Sequence, residues 1–166
     1  MSRALLRQLC ISATALGCLA SLALPTAEAK TRTSHFYGST ITDTAVSTAR
    51  DYPAPGGTAV LAGTWSTHRF GDGAVVDRVT MTGHPSANTF TFRGTEVGFV
   101  RLGTFKDVLT GIATIQPNGT QALVIHGRFV GGTGAYQGAT GRYTFSGSTA
   151  PGTSVVSGHS IGTIWY

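Results

Sequence analysis

The chain has 166 residues, with seven acids against twelve lysines and arginines, and charged side chains make up only 11% of it, against about 25% in average soluble proteins. The basic residues are scattered singly and form no run, which excludes the focused patch that nucleic-acid binding needs. Glycine, at 23 residues, stands at roughly twice its usual share; with abundant threonine and serine it disfavours helices and favours short strands joined by tight turns.

The first stretch reads as a leader. Arg3 and Arg7 make a basic n-region, Leu9 to Leu24 is almost uninterrupted apolar sequence, and Pro25 breaks it. Ala27-Glu28-Ala29 then supplies the small-x-small pattern after which a signal peptidase cuts. The expectation is a signal peptide over 1–29 and one mature domain over 30–166, secreted or periplasmic, with no integral membrane span after cleavage. Ser12, Gly17 and Ser21 argue against a retained anchor helix, and Ala15-Leu16-Gly17 before Cys18 is a poor lipobox. Both cysteines, Cys10 and Cys18, lie in the leader. The mature part can form no disulfide, thiolate metal site or cysteine nucleophile. Its 137 residues suit one domain with one core, and its ten lysines and arginines against six acids leave a net charge of +4.

After Lys30 no window keeps an apolar 3.6-residue period for three turns, whereas two-residue alternation recurs between Gly, Pro, Asn and Asp clusters. The alternation predicts eight strands, at about 34–47, 58–70, 74–83, 89–94, 96–102, 105–115, 121–130 and 142–148. A ninth stretch, 154–166, competes for the closing place, so some neighbours are expected to merge across a bulge. Pro117-Asn118-Gly119 between two alternating runs is a strong hairpin signal. The stretch 50–57, with Pro53 and Pro55, reads as the one long loop. Serial short strands without helices between them give a sandwich or a barrel. The apolar terminal strand that ends in Ile164-Trp165-Tyr166 favours an all-β, small closed antiparallel barrel of about eight strands.

The most distinctive segment runs Gly131-Gly132-Thr133-Gly134-Ala135-Tyr136-Gln137-Gly138-Ala139-Thr140-Gly141. As a dinucleotide loop it fails, because Gln137 stands where the third glycine belongs and a strand, Arg142-Tyr143-Thr144-Phe145, follows in place of a helix. It reads instead as a tight connection between strands, with glycines at positive φ and Tyr136 as a core plug. This pattern resembles the allene oxide cyclase–dirigent barrel superfamily. Leu109-Thr110-Gly111-Ile112-Ala113-Thr114, Pro117-Asn118-Gly119-Thr120 and Ile125-His126-Gly127-Arg128-Phe129 upstream look like its bacterial secreted members. The likeness is clear over 94–147, about a third of the chain. It implies an eight-stranded antiparallel barrel with an apolar cavity, commonly a trimer. Plant members cyclise an unstable fatty-acid epoxide or steer phenoxy-radical coupling, bacterial relatives include polyketide cyclases, and none needs a metal or an organic cofactor.

Alternation also nominates polar groups for the cavity. Asp77 lies among Val75, Val79 and Met81; Arg101 shares its parity with Val97 and Phe99; Asp43 goes with Tyr37 and Ile41; His159 goes with Val155, Ile161 and Trp165. Tyr143, in the strand after the glycine-rich motif, is a further candidate. Asp77 and Arg101 are the only opposite charges on otherwise apolar faces and are expected to pair with each other or with a ligand. The bland alternative for each residue is a solvated place at a strand end. The five histidines show no H-x-H or H-E-x-x-H spacing and no G-x-S-x-G elbow occurs, so neither a metal site nor that hydrolase is supported. Asp72 and Asp77, across a turn, make a weak carboxylate pair for glycosidase work. An integral outer-membrane barrel is disfavoured, because apolar residues occupy both parities, as in Ala122 and Val124 against Leu123 and Ile125. Those two parities instead suggest a homo-oligomer, one face filling the barrel and the other meeting a partner.

Two functional classes remain: a binding protein for an apolar small molecule, and a cofactor-free cyclase or isomerase. Intact-mass analysis of exported protein is expected to give Lys30 as the first residue. A mass that retains residues before Ala27 would overturn the leader assignment.

Overall fold

A computed structural model describes residues 34–47, 54–67, 69–149, 151, 153 and 155–166, with backbone only for 34–47. The expected signal peptide lies outside the described residues, as do residues 50–53 of the expected long loop. Eight strands are present: β1 (Ser34–Ser47), β2 (Thr58–Thr67), β3 (Gly71–Ser86), β4 (Thr89–Val100), β5 (Gly103–Ile115), β6 (Gln121–Gly134), β7 (Thr140–Thr149) and β8 (Val155–Trp165). Among the described residues there is no helix.

Strands β2 to β8 form an antiparallel meander in which each pairs with the next, curled into a barrel-like wall. Strand β1 registers against β2 along one edge and β8 along the other, Ile41 lying opposite Trp65 and Gly158. The stretches expected as separate strands at 89–94 and 96–102 are one strand, β4, and the terminal stretch is β8. No bulge marks the merger, since the register with β3 runs unbroken through Gly94 opposite Val79. A Cβ at Gly94 would overlap the Arg78 carbonyl and crowd Val79. That glycine is a close approach between strands, and the chain does not turn there.

The wall alternates as a two-residue period requires. Facing inward are Leu61 and Trp65 from β2, Val75, Val79 and Met81 from β3, Phe90 and Phe92 from β4, Phe105 and Leu109 from β5, Phe129 from β6, and Tyr143 and Phe145 from β7. They build two apolar clusters. One gathers Trp65, Phe70, Phe105, Phe129, Tyr136 and Phe145; the other gathers Val79, Met81, Phe90, Phe92 and Leu109; Leu61, Leu123 and Ile125 touch both.

Several of these rings fit because they lie over a glycine of an adjacent strand. Trp65 stands opposite Gly73, Phe92 opposite Gly111, Phe105 opposite Gly98, and Tyr143 opposite Gly127 on one side and Gly162 on the other. A Cβ at Gly73, Gly111 or Gly127 would overlap the facing ring. Much of the glycine surplus is thus volume surrendered to aromatic side chains.

The glycine-rich motif forms the end of β6, a turn and the start of β7. Its glycines at 131, 134, 138 and 141 have φ of 143°, 61°, 74° and 148°. The turn closes through Tyr136 N–H to the Thr133 carbonyl at 3.1 Å and Ala139 N–H to the Tyr136 carbonyl at 2.9 Å. Gly132 is excluded from any larger residue by the Thr104 carbonyl, while the Thr133 hydroxyl bonds that of Thr104 at 2.9 Å. Tyr136 packs into the core.

Gly127→Ala is expected to destabilise the fold by about 1–3 kcal/mol through overpacking against Tyr143. His126→Ala, on the outer face next door, is expected to stay within about 0.5 kcal/mol. Urea titrations of the two variants check the contrast.

Candidate functional site

At the seam between the two apolar clusters lies a belt of acids. Asp77 on β3 is directly opposite Glu96 on β4, and Glu96 is directly opposite Asp107 on β5. Each sits on the inward parity of its strand: Asp77 between Val75 and Val79, Asp107 between Phe105 and Leu109, and Glu96 between the inward glycines Gly94 and Gly98. Asp77 is 8% exposed and Asp107 only 1%. Tyr143 reaches the belt from β7, passing over Gly127 of β6. Its hydroxyl is placed to donate to Asp107 Oδ1 at 3.0 Å or to Glu96 Oε2 at 3.3 Å.

Electrostatics decides the protonation of this group. Burial, partly countered by the Tyr143 hydrogen bond and reinforced by the charge of Asp77, raises the Asp107 carboxyl from 3.8 to about 8. Burial and then the negative charges of Glu96 and Asp107 hold the Tyr143 phenol well above its ordinary value. At neutral pH Asp107 therefore keeps its proton and Tyr143 stays a neutral donor. With both carboxyls ionised, Asp107 Oδ2 would be buried without a hydrogen bond. The hydrogen-bonding influence of the Glu96 carboxyl on the adjacent strand favours the ionised form of Asp107, but burial outweighs it. Among the described residues no group of three or more His, Cys, Asp or Glu is placed to hold a metal ion.

The structure brings together two of the nominated residues, Asp77 and Tyr143. It does not join Asp77 to Arg101. The inward parity of β4 is that of Phe90, Phe92 and Glu96, and Arg101 lies beyond the strand end, exposed in the β4–β5 turn. Asp77 has Leu61 and Glu96 as its cross-strand neighbours instead. His159 is corrected likewise. It faces outward with Val155, Ile161 and Trp165, while Val156, Ser160 and Ile164 face in. Asp43 lies on β1 opposite Gly63 and Val156, and its side chain is outside the described residues. Asp72 is exposed near the start of β3, on the other parity from Asp77 and away from it.

Glu96 and Asp107 were not nominated, although both carry a readable signal. Asp107 shares its parity with Phe105, Leu109 and Ala113, and Glu96 shares that of Phe90 and Phe92 once β4 is taken as continuous. No family model, curated protein or solved structure matches the chain.

The raised carboxyl makes stability depend on pH in a defined direction. The folded chain holds the Asp107 proton more tightly than the unfolded chain. That contribution is complete below the unfolded value near 4 and is lost as pH rises through about 8. Stability should fall over that window by up to about 1.4 kcal/mol per pH unit. Asp107→Asn, neutral at every pH and able to accept from Tyr143, should flatten most of the slope. Urea midpoints of both proteins between about pH 5 and pH 8 check the sign. A wild-type midpoint that rises with pH would overturn it.

Proposed function

We propose that the chain is a secreted or periplasmic closed barrel of about eight strands that binds an apolar small molecule in its interior, with the acid belt as the ligand's polar anchor. The observation that carries the reading is the placement of the acids. Of the seven in the chain, three (Asp77, Glu96 and Asp107) line one seam of an otherwise apolar interior. Burying carboxyls costs free energy that aliphatic side chains of similar volume would not, so a structural role alone is a poor account of them. Perturbed acids inside an apolar enclosure are the usual mark of a working site. Closure is supported by the double registration of β1, and export by the leader-like sequence. The resemblance to the allene oxide cyclase–dirigent barrels supports the same picture. A homotrimer is supported by the exposed apolar pair on the outer face, Ile112 opposite Val124.

The second reading is a cofactor-free cyclase or isomerase, and the protonated Asp107 beside Glu96 favours it. Asp107 can give its proton to a ligand oxygen while Tyr143 donates a hydrogen bond to the same atom. Glu96 can take a proton from carbon, and transfer between the two carboxyls restores the starting state with no net gain or loss.

Native mass spectrometry of gently purified protein is expected to detect a bound apolar molecule. Tyr143→Phe should lower its occupancy about tenfold, the equivalent of one buried hydrogen bond of roughly 1.4 kcal/mol. If the wild type carries and takes up no apolar molecule, or Tyr143→Phe retains it equally, the binding reading is overturned.

A further inference from the structure

The bases that lie singly along the chain come together across the strands of the wall. Arg78 on β3, Arg93 on β4, Lys106 on β5, Arg128 on β6 and Arg142 on β7 all take the outward parity and are exposed. The acids of the same strands divide the other way. Asp77, Glu96 and Asp107 take the inward parity. Asp72, the one exposed acid among the described side chains, lies six residues along β3 from Arg78, roughly 20 Å away. With three acids sent inward, the outer face is left with a cationic band that holds no described acid.

The register fixes the layout of that band. Arg78 stands opposite Thr95, Thr95 opposite Val108, Val108 opposite Arg128, and Arg128 directly opposite Arg142. This row crosses the wall from β3 to β7, roughly 19 Å at about 4.8 Å per strand. A second row beside it runs through Thr80, Arg93, Thr110, His126 and Thr144. Lys106, opposite Val97, flanks the first row on its other side. Like charges directly opposite on adjacent strands destabilise a sheet. Arg128 and Arg142 therefore oppose folding by themselves, and an anion held between their guanidinium groups reverses that effect.

The layout selects the occupant. The row passes from strand to strand around a convex surface, which an extended, flexible chain can follow. Repeated anionic groups on such a chain meet several cations, and the exposed hydroxyls of Thr95 and Thr110 between them can donate to or accept from sugar hydroxyls. A single-stranded nucleic acid finds less here. The positions between the cations carry threonine, valine and His126, and single-stranded bases stack on aromatic rings. A second copy of the chain brings Asp72 as its one exposed described acid, and burial of the Arg128–Arg142 pair between copies would leave like charges uncompensated.

We infer that the outer face of β3–β7 binds an acidic polysaccharide, a chain of uronate sugars laid along the row. Arg128 and Arg142 grip one carboxylate, and Arg78, Arg93 and Lys106 take its neighbours. The band lies on the opposite face of the wall from the acid belt and is independent of what the interior binds.

The probe is a fluorescent oligogalacturonate, titrated with the purified protein and followed by anisotropy at low salt. Its methyl ester serves as the uncharged counterpart, and oligothymidylate as a polyanion of phosphates. The oligogalacturonate should bind at least about tenfold more tightly than either. Arg128→Gln combined with Arg142→Gln should weaken it by about tenfold or more. Arg101→Gln, which removes a cation outside the band, should weaken it less than about twofold. Arg128→Glu, which sets an acid opposite Arg142, should melt at or above the wild-type temperature and lose most of the binding. Equal binding of the methyl ester would overturn the role of charge, and equal or tighter binding of oligothymidylate would overturn the polysaccharide. Equal losses from Arg101→Gln and the double variant, or no oligogalacturonate binding at millimolar concentration, would overturn the band as a site.

Discussion

Four rings enter the interior of this wall where the adjacent strand gives up a side chain, and the chemistry inside depends on that exchange. Trp65, Phe92, Phe105 and Tyr143 each claim the space over a glycine opposite. The wall thereby accommodates a largely aromatic core. The same exchange lets a β7 residue touch β4 and β5. Without the bare backbone at Gly127, the Tyr143 hydroxyl could not lie 3.0 Å from Asp107. The glycines thus belong to the chemistry of the interior as well as to its turns.

Burial then sets that chemistry. Asp77, Glu96 and Asp107 lie side by side on three consecutive strands, and like charges so placed in low dielectric cannot all ionise cheaply. Asp107, the most deeply buried, keeps its proton, and the neutral phenol of Tyr143 completes the group. The outer face of β3–β7 is the electrostatic opposite, cationic and solvated.

Much of this was legible in the amino-acid sequence. Alternation located the strands, the parity of Asp77 among Val75, Val79 and Met81, and the plug formed by Tyr136. It failed where a local signal was ambiguous. Gly94 reads as punctuation but is a close approach within one strand, and breaking the strand there hid the inward parity of Glu96. Asp107 lies where the β5–β6 register shifts, opposite Phe129 while Lys106 faces Gly131. Its side chain, flanked in sequence by Lys106, looks like part of a solvated edge. His159 misled for another reason. Tyr143 and Phe145 fill the space in front of the middle of β8, which turns Gly158, Ser160 and Gly162 inward there, while Ile161 and Trp165 stand outside.

The reach of Tyr143 has a kinetic side. Every pairing from β2 to β8 joins neighbours in sequence and can zip from a turn on the timescale of hairpins, roughly 1–10 μs. The hydroxyl contacts to Asp107 and Glu96 span 36 and 47 residues and need three strands already in place. If those contacts close after the transition state, they act on the rate of escape from the native basin and not on the rate of folding. On that order of events the Tyr143 contacts would be a latch, felt in how long the folded chain survives more than in how quickly it is made.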